Sequence, residues 1–303
     1  MNSKRIGGTL FSNITNIGDP FVFYEDGYYY MFGTGYRGEA FSCYIGRSLD
    51  QFNENPVIIL KKEDSFGVAD FWAPEIIKYN NEYFMFYSAK GNDGILHIQV
   101  AKSQKITGPY IDININKPLL PWASIDASPF IDKSGKIYLL FVMDCSKNVI
   151  DGVHTSQTYI IELDESLSNT IGEPKLLLTP DVSWEYDKND AYRWNEGPSM
   201  IYHDGYYFIT YSTHHFMNPN YSIGLAKSKE ILGPYIKDER GPILKRITGV
   251  TSGTGHNSFF YNENKELMTA YHVHTDVNHP SANRRACFSK ILFNNNELII
   301  DYK

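Results

Sequence analysis

Apolar runs and polar turns succeed one another along this chain, and one such segment recurs in the same order five times. Each recurrence opens with a short apolar run, crosses a turn such as Asp26-Gly27, Asn80-Asn81 or Ser134-Gly135, and returns through a second run rich in Tyr and Phe. The openings read Asp19-Pro20-Phe21, Ala73-Pro74-Glu75, Ser128-Pro129-Phe130, Gly197-Pro198-Ser199 and Asn257-Ser258-Phe259. Counted between Pro20, Pro74, Pro129, Pro198 and Ser258, they are 54, 55, 69 and 60 residues apart. A third strand is expected in each unit, at 43–48, 98–103, 159–164, 223–228 and 286–291, and an outer fourth at, for example, 56–60, 175–178 and 297–301. No stretch shows helical periodicity. Five units of four antiparallel strands predict an all-β fold, a five-bladed β-propeller. The repeat runs almost end to end, so residues 1–303 read as a single propeller domain. The last unit holds four strands of its own, and closing the ring is not expected to need a strand from the N-terminus.

Composition narrows the classes of function. With 42% hydrophobic and 15% aromatic residues the chain is not disordered, and at 303 residues it buries a sizeable core. A formal net charge of −7 argues against a nucleic-acid partner and against an anionic membrane surface. No apolar stretch is long enough to span a bilayer. The first residues carry Lys4 and Arg5 but no apolar run of signal-peptide length, so the chain reads as cytoplasmic, or as a secreted chain whose leader has been removed. Cys43, Cys145 and Cys287 are widely spaced, form no CxxC pair and read as small buried hydrophobes in a reducing compartment. The pattern specifies no oligomeric state.

In a propeller the innermost strands line a central channel, and loops at one end form a shallow pocket. The residues just before the anchors Pro20, Pro74, Pro129, Pro198 and Ser258, namely Asp19, Trp72, Asp126, Glu196 and His256, are therefore expected to converge on the axis. Each has a plainer reading: Asp19 as a turn former before Pro20, Asp126 as a cap on local amides, Glu196 as a surface acid, Trp72 as core. Three carboxylates from three units are nonetheless costly to gather unless they do chemistry. Together with aromatic surface from Trp72 and Phe71 they fit glycoside hydrolysis, in which one acid protonates the leaving oxygen and another activates water or attacks the sugar. Glu75 falls one residue later and is expected to point elsewhere. The pairs His214-His215 and His272-Val273-His274 lack His-Glu-x-x-His spacing and a third ligand, so zinc is not expected.

The motifs Gly18-Asp19-Pro20, Phe71-Trp72-Ala73-Pro74-Glu75, Ser124-Ile125-Asp126-Ala127-Ser128-Pro129, Asn195-Glu196-Gly197-Pro198 and Gly253-Thr254-Gly255-His256-Asn257 make the sequence resemble glycoside hydrolase family 43, five-bladed propellers acting on arabinose- and xylose-containing glycans. The resemblance implies an inverting hydrolase with Asp19 as general base, Glu196 as general acid and Asp126 as the acid that tunes and orients Glu196. It implies that His256 lies near the axis beside a bound cation, commonly calcium, acting through ordered water; a structural core histidine is the other reading. It also implies an arginine from the last blade holding sugar hydroxyls. Of Arg284 and Arg285 only one can face the pocket, and Arg284 is preferred. Loop residues near 35–41, 144–156 and 181–194, the last with Trp194, are expected at the rim. No cofactor is needed for the chemistry. No accessory β-sandwich or carbohydrate-binding module is recognised, and an oligosaccharide is the expected partner. An exo-acting α-L-arabinofuranosidase is the first reading; a β-xylosidase, an endo-1,5-α-L-arabinanase and, in another class, a non-catalytic glycan-binding propeller are the alternatives.

Overall fold

A computed structural model describes residues 5–35 and 40–303; the middle of the expected rim loop, 36–39, lies outside the described residues. Five sheets, antiparallel but for one short strand in the third, follow one another along the chain. Their first strands are Ile17–Glu25, Ala69–Tyr79, Ser124–Ile131, Glu196–His203 and Gly255–Tyr261, and these touch one another in a closed ring. The second strands, Tyr28–Gly35, Glu82–Lys90, Ile137–Met143, Tyr206–Thr213 and Leu267–His274, are the aromatic-rich runs of the repeat. Third strands run at Phe41–Ser48, Leu96–Ser103, Val153–Leu163, Ser222–Ser228 and Arg284–Asn294. The outer strands are uneven: Thr170–Leu178 has nine residues, whereas Ile111–Asp112 and Ile236–Lys237 have two each. The five-bladed propeller expected from the repeat is the fold observed. Among the described residues the one helical segment is a 3-10 turn at Lys62–Asp64, and no helix is long and apolar enough to cross a membrane.

The near-continuous apolar runs of the second strands make both faces of each sheet apolar, and each face is buried against the next blade. Five apolar clusters result, one for each blade-to-blade interface. Met85 and Tyr87 meet Phe32 and Phe41 between the first and second blades, and Phe208 and Ile223 meet Tyr271 and Val273 between the fourth and fifth. Cys43 and Cys287 are buried within such clusters, while Cys145 is only half-buried.

Closure differs from the sequence expectation. The N-terminal strand Thr9–Thr15 joins the last blade, pairing Leu10 with Phe288, Phe11 with Cys287 and Thr15 with Arg285. Arg284–Asn294 is eleven residues long, enough for Thr9–Thr15 along its first half and Glu297–Asp301 along its second. The last blade therefore has its own fourth strand and borrows one as well. Thr9 Oγ1 seals the join, donating to the carbonyl of Tyr302 at 3.0 Å and lying 2.8 Å from Tyr271 Oη.

Every first strand carries a bulge, with one extra residue opposite its partner, between the paired positions Gly18 and Phe21, Trp72 and Glu75, Ile125 and Ser128, Glu196 and Ser199, and Gly255 and Ser258. The residue after the first of each pair is left-handed: Asp19 (φ 51°), Ala73 (44°), Asp126 (57°), Gly197 (54°) and His256 (49°). This corrects the alignment of the repeats. Ala127 and Asn257, not Pro129 and Ser258, are the counterparts of Pro20, Pro74 and Pro198. Asp19, Asp126 and His256 share one position, while Trp72 and Glu196 sit one residue earlier. The prolines misled because proline suits the bulge in three blades but recurs two residues late in the third.

Candidate active site

The bulges turn the first-strand ends toward the axis, where they line a cavity of about 340 Å³. Asp19, Trp72, Asp126, Glu196, His256 and Arg284 all face it. Asp19 is the most heavily engaged. Arg284 Nη1 donates to its Oδ1 at 2.7 Å, Thr34 Oγ1 donates to its Oδ2, and the Nδ1 atoms of His256 and His272 each lie 3.3 Å from Oδ1. Burial alone would raise this carboxyl, but Arg284, and then His256, hold it well below the usual range, so Asp19 stays ionised. The Asp19 amide donates to His272 Nδ1 at 3.1 Å, which places the His272 proton on Nε2. Burial first, and then Arg284, push His272 down to about 3, so its ring is neutral.

Glu196 is in the opposite state. Burial first, and then the negative charge of Asp126, push it well above the ordinary range; a 3.0 Å hydrogen bond from Tyr221 Oη to Oε1 opposes this without reversing it. Asp126 is itself raised, by burial foremost and by Asp19, against the pull of His256 and of the Gly197 amide that donates to its Oδ2 at 2.9 Å. One carboxyl held ionised and another held protonated thus face a single cavity.

Glu196 also lines a second cavity, of about 670 Å³, which shares Trp72, Ile125 and Phe216 with the first. Asp19 lines only the first. The short strand Tyr192–Trp194 walls the second cavity and runs parallel to Val153–Leu163. Alternation puts Tyr192 and Trp194 on one side of this strand, their rings 5.9 Å apart and nearly parallel, with His154 stacked on Tyr192 at 4.6 Å. The segment is pinned from below by Lys237, which reaches Asp181, both Glu185 oxygens and Asn195 Oδ1 at 2.7–2.9 Å. Glu185 has no exposed side chain, and Tyr211 Oη and two backbone amides satisfy it further. Asn195, so fixed, immediately precedes Glu196.

Most residues singled out in the sequence come together here. Trp72 is half-buried and faces both cavities. Phe71 reaches the first but is 6% exposed and packs on Phe41 and Tyr87; neighbours on a strand face opposite ways, so it backs the wall rather than offering a sugar a face beside Trp72. Trp194 serves the second cavity, not the first. Arg284 faces Asp19, while Arg285 turns away, donating to the Ser12 carbonyl and lying over Phe11. Glu75 lies outside both cavities; burial, chiefly, and Asp126 push it up to about 8.

Thr34, Tyr221 and Phe216 were missed, and His272, weighed as a zinc ligand and expected at the rim, instead accepts from the Asp19 amide. Tyr221 and Phe216 follow no motif. Thr34 and His272 did leave a signal, as polar residues at the end of otherwise apolar second strands. For a calcium ion at the axis, Asn257 and Thr254 bring buried side-chain oxygens without partners. Calcium takes six to eight oxygens, and no group of three or more His, Cys, Asp or Glu among the described residues could hold a metal. The protein atoms alone do not fit a calcium cage.

The family model described as Glycosyl hydrolases family 43 matches residues 14–299. The extracellular exo-alpha-(1->5)-L-arabinofuranosidase of Streptomyces avermitilis is 26% identical over 298 residues; the match covers 91% of this chain but 59% of that protein's length. A crystal structure of a thermostable family-43 glycoside hydrolase superposes with a TM-score of 0.91 at 38% identity, covering 96% of this chain and 94% of that one. The structure of an endo-1,4-beta-xylanase from Bacteroides thetaiotaomicron follows with a TM-score of 0.83 at 29% identity and 95% coverage of both chains.

Proposed function

The chain belongs to glycosyl hydrolase family 43, and from that premise we propose that it is an inverting glycosidase, an exo-acting α-L-arabinofuranosidase that removes terminal arabinofuranosyl units from oligosaccharides. The observation that carries this reading is the pair of opposed carboxyl states, Asp19 ionised and Glu196 protonated, facing one cavity. The sugar to be removed occupies the first cavity, between them. Its leaving group extends into the second, because Glu196 alone of the two faces both.

Asp19 takes a proton from water as the water oxygen bonds to the anomeric carbon. The bond from that carbon to the leaving oxygen breaks, and Glu196 gives its proton to that oxygen. One displacement with no enzyme-bound sugar inverts the configuration. Asp126 keeps the proton on Glu196 until it is needed, since ionising Glu196 beside a second carboxylate is unfavourable. Trp72 offers apolar surface to the sugar in the first cavity.

The relative named as an exo-arabinofuranosidase supports the choice of pentose. A panel of aryl α-L-arabinofuranoside, aryl β-D-xyloside, linear arabinan and xylan tests it, with products sized and the first-formed anomer read by proton NMR. Release of single arabinose units with inverted configuration is expected. Retained configuration would sink the mechanism, and xylose release alone would sink the substrate.

A further inference from the structure

Five backbone amides, buried or half-buried, hold the blades against one another, and one of them is satisfied unlike the rest. Each first-strand bulge takes one N–H out of the ladder, and a buried N–H needs another acceptor. The Asp19 amide donates to His272 Nδ1 at 3.1 Å, Ala73 to Thr34 Oγ1 at 2.9 Å, Asp126 to Ser88 Oγ at 2.9 Å and His256 to Ser212 Oγ at 2.8 Å. In all four the acceptor is a side chain on the second strand of the preceding blade, counting the fifth as preceding the first. It also occupies the same register each time: Thr34 pairs with Gly18, Ser88 with Trp72, Ser212 with Glu196 and His272 with Gly255.

In the third blade this register, opposite Ile125, is held by Val142, which is fully buried. For Gly197, next around the ring, the residue at the acceptor register carries an isopropyl group where the other four amides have an oxygen or nitrogen. Its N–H goes instead to Asp126 Oδ2 at 2.9 Å.

We propose that Val142 is a positioning residue for the reaction: by offering no acceptor, it leaves the Gly197 amide to Asp126, and that bond holds the Asp126 carboxylate beside Glu196. The ring has one apolar position, and it stands where a side chain at the axis is required to substitute for it. Asp126 thereby closes the hydrogen-bonded ring and presents its charge to the adjoining residue, Glu196. A hydroxyl at position 142 would take over the structural half of that work. Asp126 would then be free to turn away from Glu196 or to accept a proton in its place, and either change lowers the share of the proton held by Glu196.

The inference rests on Glu196 being the general acid, and the test separates the two. Val142→Ser and Val142→Thr each supply the missing acceptor; Val142→Ala removes packing without supplying one. Carbon-13 NMR of the carboxyl groups in the full chain reads protonation of Glu196 without requiring turnover. The Glu196 signal should titrate at lower pH in Val142→Ser and Val142→Thr than in wild type or Val142→Ala. The ratio of kcat/KM on an arabino-oligosaccharide to that on an aryl glycoside with a good leaving group should fall about fivefold in the same two variants, because only the first substrate needs the acid. Val142→Ala should lower both rates together. Identical titration of Glu196 in all four proteins overturns the proposal. If the titration moves but no glycoside is cleaved by any of them, Val142 positions Asp126 as proposed and the glycosidase reading is what fails. Val142→Thr, nearly unchanged in volume, decides the matter if Val142→Ser does not fold.

Discussion

Arg284, on the last blade, places Nη1 2.7 Å from Oδ1 of Asp19, on the first, and it does so across a glycine. A Cβ on Gly18 would lie 1.9 Å from the guanidinium carbon of Arg284. Gly18 is therefore what lets the arginine reach the carboxylate, and the same ion pair ties together the two ends of the propeller ring.

Gly18→Ala should push Arg284 off Asp19. Without its nearest positive partner the carboxyl is protonated more readily, so the acid limb of kcat/KM should move to higher pH. Arg284→Met makes the same change more severely, because both partners are 9% exposed and Asp19 is left buried without its main counter-charge. The loss should be about 3–5 kcal/mol near pH 7 by urea denaturation. The native state holds Asp19 below its unfolded value, so the stabilisation is present above that value and fades as pH falls through the native one. The gap between variant and wild type should narrow in acid. A gap that widened in acid would contradict this.

Glu196→Ala should cut turnover of natural oligosaccharides about 100- to 10,000-fold and that of an activated aryl glycoside much less, since a good leaving group scarcely needs the proton. Asp19→Ala should abolish both. Equal losses on the two substrates in Glu196→Ala would remove it from the role of acid.

Tyr221→Phe removes a hydrogen bond that favours the charged form of Glu196. Glu196 should then keep its proton to higher pH, moving the alkaline limb of kcat/KM upward, with a fall in kcat of about fivefold from lost positioning. Asp126→Asn, which removes the repelling charge, should move the same limb downward. The two limbs moving in one direction would show that the causes are misassigned.

Lys237→Met leaves Glu185 fully buried and without its ion pair. A loss of about 3–5 kcal/mol is expected on urea denaturation. The pinned segment carries Trp194, so KM for longer oligosaccharides should rise more than KM for an aryl glycoside.

Trp194→Ala tests the second cavity directly. It should lower kcat/KM about tenfold on oligosaccharides of three or more units, with a smaller effect on aryl substrates, an aromatic contact being worth up to roughly 1.5 kcal/mol beyond its area. Equal effects on short and long substrates would place the leaving group elsewhere.

The number of blades, the order of their strands and the five residues gathered at the axis were all legible in the sequence. They depend on local alternation and on a repeat, and both are properties of consecutive residues. The bulge register was not legible, because the proline used to align the units stands two residues late in the third, and only the pairing of Ile125 with Val142 and Ser128 with Leu140 reveals the offset. The N-terminal strand was misjudged because its partner, Arg284–Asn294, lies some 270 residues away and is long enough to hold two neighbours. Tyr221 was invisible because its role lies in one hydroxyl and its distance from Glu196. Sequence by itself determined which side chains arrive at the axis. Tertiary structure decided their charge states, because a carboxyl keeps or loses its proton according to the neighbours that other blades bring within a few ångströms: Arg284 for Asp19, Asp126 for Glu196, and Gly197 for Asp126.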